Sequence, residues 1–126
     1  LMVKQFSIFL ENKPGRLSNL IDLFERNQIR VLAMGIAEAG NYGIVRCILD
    51  APEKAAEALR NANTAVNLVE VLIIDMEDLH NAVKVLGEKG INVDYAYTMD
   101  LGRIVIKVDD ESKAKNALSE AGIKTY

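Results

Sequence analysis

The strongest constraint on this sequence is that it carries one pattern twice. Lys13-Pro14-Gly15-Arg16-Leu17-Ser18-Asn19-Leu20-Ile21 leads through Gln28-Ile29-Arg30-Val31 into an apolar run. About 60 residues later, Leu79-His80-Asn81-Ala82-Val83 leads through Gly90-Ile91-Asn92-Val93 into another. Leu17, Leu20, Ile21 and Phe24 correspond to Leu79, Ala82, Val83 and Leu86, and Ala55, Ala58 and Leu59 to Ala114, Ala117 and Leu118. A repeat of this length holds a whole small α/β unit, longer than most solenoid repeats. Two copies predict a pseudo-symmetric pair whose seam can form a site. One copy keeps a Pro-Gly loop that the other lacks, and this asymmetry carries the functional reading.

The order of elements follows from local patterns. Val3 to Glu11 is too rich in β-formers for a helix, and Asn12-Lys13-Pro14-Gly15 ends it. Leu17, Leu20, Ile21 and Phe24 fall at i, i+3, i+4, i+7, the stripe of an amphipathic helix. Ile29 to Glu38 reads as a second strand, turned by Ala39-Gly40-Asn41 into Tyr42 to Leu49. Asp50 with Glu53 predicts a capping box, Pro52 fits a first helical turn, and Ala55, Ala58, Leu59 and Ala62 give the second helix its stripe. Ala65-Val66-Asn67-Leu68 returns a fourth strand. The second copy repeats the order: a strand near Val69–Ile74, a helix near Glu77–Lys89, and strands near Ile91–Met99 and Ile104–Val108. A helix near Asp110–Ala121 and a short end strand over Ile123–Tyr126 complete it. Its central hairpin, turned at Asp100-Leu101-Gly102-Arg103, is the tighter one.

This is the split βαβ arrangement twice over. The fold expected is α+β: two ferredoxin-like βαββαβ units with antiparallel sheets, packed as a pseudo-dimer. The domains fall at 2–67, with the intact Pro-Gly loop, and 68–126, with the degenerate one. Each unit is of a size at which burial is marginal for a lone domain, and no Pro/Gly/Ser linker divides them; Val66 to Ile74 reads as nearly continuous strand. Leu1 before Met2 reads as a cloning remnant. In the second strand Ile29, Val31, Ala33 and Ala37 alternate with Arg30, Leu32, Met34 and Ile36. A sheet covered on one side alternates apolar with polar, so the apolar outer stripe Leu32, Met34, Ile36 predicts a further sheet, subunit or ligand against it, and a homodimer.

Composition removes several function classes. The formal charge is −3 with the charges scattered, which argues against the basic patch that nucleic acid or an anionic membrane surface needs. Strand residues Tyr42 to Leu49 offer few aromatic or basic side chains for RNA stacking. One cysteine, Cys47, and one histidine leave no disulfide and no metal cluster; Cys47 reads as a small buried hydrophobe and His80 as a solvated helix residue. No apolar run reaches membrane-spanning length and no targeting pattern is present, so the cytoplasm is the expected compartment. No nucleophile–base pair or acid/base constellation stands out, so no catalytic residue, metal or cofactor is assigned and the chain reads as a non-enzyme.

At Asn12-Lys13-Pro14-Gly15-Arg16-Leu17, followed by Ile29-Arg30-Val31 and Gly43-Ile44-Val45-Arg46, the chain resembles an ACT domain. Its second half resembles one more weakly, through Leu79, Gly90-Ile91-Asn92-Val93 and Gly102-Arg103-Ile104-Val105. The whole looks like a stand-alone tandem ACT protein. The resemblance implies a regulatory protein that senses an amino acid or related carboxylate, with an amino-acid-metabolism enzyme as a further partner.

The residues of the loop support an anion site independently of the family. A helix starting near Gly15 or Arg16 presents unpaired N–H groups and a partial positive charge. Such an end favours a carboxylate, and the Asn12 amide can both donate and accept. The resemblance places Asn12 in unit one and Asn92 in unit two beside the ligand, so the candidate ligand-binding residues are Asn12, Lys13, Pro14, Gly15, Arg16, Leu17 and Asn92. The reciprocal loop, Asp75-Met76-Glu77-Asp78, is acidic and would repel a carboxylate, and Arg30 stands where an Asn is expected. Leu10 occupies a position where some relatives carry a ligand-binding His. The loop also reads as an ordinary strand-to-helix turn. On that alternative the protein is a structural or assembly module recruiting a partner enzyme, with a vestigial ligand site.

Overall fold

The computed structural model describes residues 3–126; Leu1, with its reading as a remnant, and Met2, where the first domain was expected to begin, lie outside the described residues. The elements are β1 Val3–Glu11, α1 Arg16–Arg26, β2 Val31–Ala39, β3 Tyr42–Leu49, α2 Pro52–Asn61, β4 Val66–Asp75, a 3₁₀ turn Met76–Asp78, α3 Leu79–Glu88, β5 Val93–Met99, β6 Arg103–Val108 and α4 Glu111–Glu120. The chain divides into two compact units, residues 5–69 and residues 70–126, the latter counting Val3 and Lys4 with it. The Lys4 ammonium lies 3.5 Å from the Glu70 carboxylate. As the sequence indicated, β4 is one uninterrupted strand, and it carries the chain from one unit into the other.

In the first unit β3 pairs antiparallel with both β1 and β2, with Phe6 opposite Cys47 and Met34 opposite Cys47. Phe9 N–H donates to Ala65 C=O at 3.1 Å, bringing the end of the unit beside β1. Phe6, Ile8, Val45, Cys47 and Leu49 of the sheet bury against Leu20 and Phe24 of α1 and Ala55, Ala58 and Leu59 of α2. The second unit repeats this: β6 pairs with β4 and β5, and Leu72, Ile74, Ile104, Ile106 and Val108 pack on Ala82, Leu86, Ala114, Ala117 and Leu118. Each unit is thus a two-layer α+β sandwich of the ferredoxin-like kind. Leu17 departs from the helix stripe: it is 38% exposed, at the open end of α1 rather than in the core.

Three expectations are corrected. Ile123–Tyr126 form no strand; a single bond, Tyr126 N–H to Ile73 C=O at 2.9 Å, marks the place of one. The Asp50/Glu53 capping box does not form, because Asp50 lies one residue outside the cap, which is Ala51. Asp50 instead accepts from the Arg30 N–H at 2.7 Å, while its own N–H donates to Arg30 C=O at 3.1 Å. The third correction concerns the faces of β2. The register shifts between Val31 and Ala33, a β-bulge at Leu32 that restarts the alternation. Val31 and Met34 consequently both pack on the helix-side core, Ala33 is buried on the other face, and of the expected outer stripe only Ile36 is well exposed, at 55%. The second unit has the same bulge between Val93 and Tyr95.

Candidate functional site

The loop from β1 to α1 is built by backbone rules. Asn12 N–H donates to Asn41 C=O at 2.7 Å, tying the end of β1 to the β2–β3 turn, and the Asn12 amide nitrogen donates to Gly40 C=O at 3.3 Å. Lys13 N–H turns back onto Glu11 C=O at 2.9 Å, and Arg16 N–H onto Lys13 C=O at 3.3 Å. Gly15 caps α1 with φ +89°, a left-handed conformation that any side chain would strain. The first α-helical bond runs from Asn19 N–H to Gly15 C=O at 3.0 Å. No side chain caps α1, and its first turn holds no acidic residue. The Arg16 N–H is thus taken up in the turn, and the Leu17 and Ser18 N–H groups open the helix among exposed residues, beside Lys13, Pro14 and Arg16.

Charge at this loop is organised around Glu11. Its carboxylate takes the Lys13 ammonium at 3.1 Å on one oxygen and the Arg16 guanidinium at 3.0 Å on the other. The hydrogen bond from Lys13, then the charges of Lys13 and Arg16, hold the Glu11 carboxyl below the usual carboxylate range. Asn12 spends its NH₂ on the turn, which leaves its carbonyl oxygen as an acceptor toward solvent. Asn92 is arranged alike within the second unit: its amide nitrogen donates to Asp94 at 2.9 Å and its backbone N–H to Asp109 at 3.1 Å. The backbone bond to Asp109 is the counterpart of the Arg30–Asp50 bond, so Asn92 has a structural task besides any contact with a ligand.

The corresponding loop of the second unit differs in construction. Met76 N–H donates to Gly102 C=O at 2.7 Å, which puts Met76 where Asn12 stands in the first unit. The chain then enters a 3₁₀ turn with Glu77 and Asp78 and runs directly into α3, without a Pro-Gly excursion. Asp75 accepts from the Tyr126 hydroxyl at 2.9 and 3.1 Å and lies 3.8 Å from the Arg103 guanidinium. The repeat does not foreshadow this cluster, because the residue equivalent to Arg103 in the first unit is Tyr42, which has neither its charge nor its shape.

Cys47 is fully buried, and burial pushes its thiol up to about 12, as befits a core residue. His80 is exposed. Tyr95 and Tyr97 stack with ring centroids 6.5 Å apart. Among the described residues no group of three His, Cys, Asp or Glu is placed to hold a metal, and no helix is long and apolar enough to cross a membrane.

Two ferredoxin-like units, one with a Pro-Gly loop before its first helix, define a duplicated α+β module. The chain belongs to the ACT domain pair family, whose model matches residues 1–124. It is 31% identical to a Bacteroides thetaiotaomicron protein of known crystal structure, with TM-score 0.91 over 99% of this chain and 92% of that one. The regulatory subunits of aspartate kinase from Thermus thermophilus and Thermus flavus share the fold at 15% and 16% identity. Their TM-scores are 0.64 and 0.66, over 96% and 94% of this chain and 93% and 90% of theirs. No curated protein matches the sequence. Domains of this family are small-molecule-binding regulatory modules, and that is the class of this chain.

Proposed function

We propose that the chain is a non-enzymatic regulator that binds a carboxylate-bearing metabolite, an amino acid, at the Asn12–Leu17 loop. The observation that carries this reading is the start of α1: an exposed, uncapped helix N-terminus with no acid in its first turn, flanked by Lys13 and Arg16. The N–H groups around Gly15–Leu17, apart from that of Arg16 which bonds Lys13 C=O, hold the carboxylate. The free carbonyl oxygen of Asn12 accepts from the α-ammonium, and Asn92, assigned through the family resemblance, supplies a second amide. The regulated partner is an enzyme of amino-acid metabolism, a proposal supported by the fold shared with aspartate kinase regulatory subunits. The cytoplasm is the proposed compartment.

Calorimetric titration with the standard amino acids tests the site. Losing one hydrogen bond to a charged ligand costs about 1.5–3 kcal/mol, or about ten- to a hundredfold in affinity. Asn12→Ala is therefore expected to weaken binding by that factor, and Asp75→Ala to leave it nearly unchanged. Equal affinities for wild type and Asn12→Ala, or a ligand lodged at the Asp75 loop, would overturn the assignment. If no amino acid or related carboxylate binds, the assembly-module reading takes its place.

A further inference from the structure

We propose that the second unit carries a binding site for a phenolic ring, and that the chain fills this site with its own Tyr126. Tyr126 lies beyond α4, outside any helix or strand, yet it is held from several sides. Its single hydroxyl proton is shared between both oxygens of Asp75, at 2.9 and 3.1 Å. The Arg103 guanidinium stands 3.7 Å from the ring centroid and the Lys124 ammonium 4.5 Å from it. Both distances fall within cation–π range. The Arg103 Nε is buried without a hydrogen-bond partner, so ring stacking and the 3.8 Å approach to Asp75 are what it has in place of one. One backbone bond, Tyr126 N–H to Ile73 C=O, anchors the segment.

The first unit has no such arrangement. The residue in register with Asp75 is Arg103, whereas the one in register with Glu11 is Tyr42, and Glu11 is engaged by Lys13 and Arg16. Beside the Asp75 carboxylate, a surface hollow of about 430 Å³ is lined by Asp75, Met76, Glu77, Leu101 and Gly102. Two carboxylates at that mouth repel an anion, so a ligand here is a phenol whose other substituent is neutral or cationic. This is a different chemistry from the carboxylate proposed at the Asn12 loop, and the two assignments stand or fall separately. Because Tyr126 is tethered, its effective concentration is high and a free phenol competes with it poorly. The site opens when Tyr126 is withdrawn.

The test uses p-cresol, tyramine and toluene against the full chain and its Tyr126→Ala variant, read by thermal shift and by NMR shifts of the Asp75, Arg103 and Lys124 amides. The expected result is that p-cresol and tyramine bind Tyr126→Ala at least about tenfold more tightly than wild type, with shifts centred on those residues, and that toluene does not. Equal binding to wild type and variant, or toluene matching p-cresol, would overturn the proposal. Should Tyr126→Ala fail to fold, Tyr126→Phe replaces it: the ring stays but the bond to Asp75 is gone. p-Cresol must then bind the phenylalanine variant more tightly than wild type, and no difference between them overturns the proposal equally.

Discussion

At the Asn12–Leu17 loop, Glu11 competes with any incoming anion, since Lys13 and Arg16 are both already committed to its carboxylate. Glu11→Gln releases the two cations, and because exposed ion pairs are weak the gain in carboxylate affinity is expected to be about threefold. Calorimetry of the variant beside wild type measures it, and unchanged affinity would mean that neither cation meets the ligand. The pH dependence has a definite sign. The carboxyl is held below its ordinary value when folded, so its stabilising contribution is present above the unfolded pKa and is lost as pH falls through the folded one. Over that acidic window protonation also frees Lys13 and Arg16, so affinity for an anion whose own carboxylate stays ionised rises as pH drops. A second single-residue effect lies at Gln28, which has φ +55°. A non-glycine side chain in this conformation costs about 1–2 kcal/mol. Gln28→Gly is expected to recover about 1 kcal/mol of that, measured as a shift of the denaturation midpoint at unchanged slope.

The helix ends and strand bulges show what a duplicated sequence reveals and what it conceals. Each helix among the described residues closes with the same pair of backbone bonds after a left-handed residue: Gln28, Asn63, Gly90 and Gly122. Ile29, Thr64, Ile91 and Ile123 then donate to the C=O of Phe24, Leu59, Leu86 and Leu118, the Schellman closure with its apolar contact in three of four cases. Of the four, Gly90 and Gly122 are the residues that take this conformation without strain. The strands β1 and β3, the continuous β4 and the helix stripes, apart from Leu17, Val83 and Ala62, were legible, because periodicity and turn residues act locally. The bulges at Leu32 and Asp94 were not, since an extra residue in a ladder is decided by which partner atoms pair. The Asp50 reading failed for a related reason: two hydrogen-bonding tasks compete for one side chain. The second unit shows the division of labour, with Asp109 bonding Asn92 and Asp110 capping α4 through Lys113 N–H at 3.0 Å. In the first unit the cap position is Ala51, with φ −129° and ψ 72°, beside the −143° and 92° of Asp110. Ala51→Ser is therefore expected to stabilise the protein by about 1 kcal/mol, and a denaturant titration showing no gain would mean that α2 starts in another geometry.

For the whole molecule, the asymmetry between the two loops becomes a question of stoichiometry. One loop presents Lys13 and Arg16 around Glu11 with no acid in the first helical turn, while the other presents Asp75, Glu77 and Asp78, with Tyr126 bonded to Asp75. Two sequence copies therefore do not imply two equivalent carboxylate sites, and titration of an amino acid is expected to saturate at one per chain, whatever the oligomeric state. Self-association is a separate matter. With Leu32 and Met34 half-buried, the case for a homodimer now rests on Ile36 and Tyr42, each 55% exposed near the β2–β3 turn. Full burial of such a side chain is worth about 1.5–3 kcal/mol. Ile36→Lys is accordingly expected to convert a dimer to a monomer in sedimentation equilibrium and to lower the melting temperature only by the part that depends on protein concentration, because that side chain contributes little to the folded core. The stoichiometric readout also links to stability. A ligand that binds the native state alone, present at a hundred times its Kd, stabilises it by about 2.7 kcal/mol. That should raise the melting temperature by about 10 °C for a chain of this size. Wild type should show that shift with one amino acid or a narrow group of them, and Asn12→Ala should lose at least about half of it at the same concentration. A full shift retained by Asn12→Ala, or a stoichiometry of two per chain, would assign the binding to some other surface.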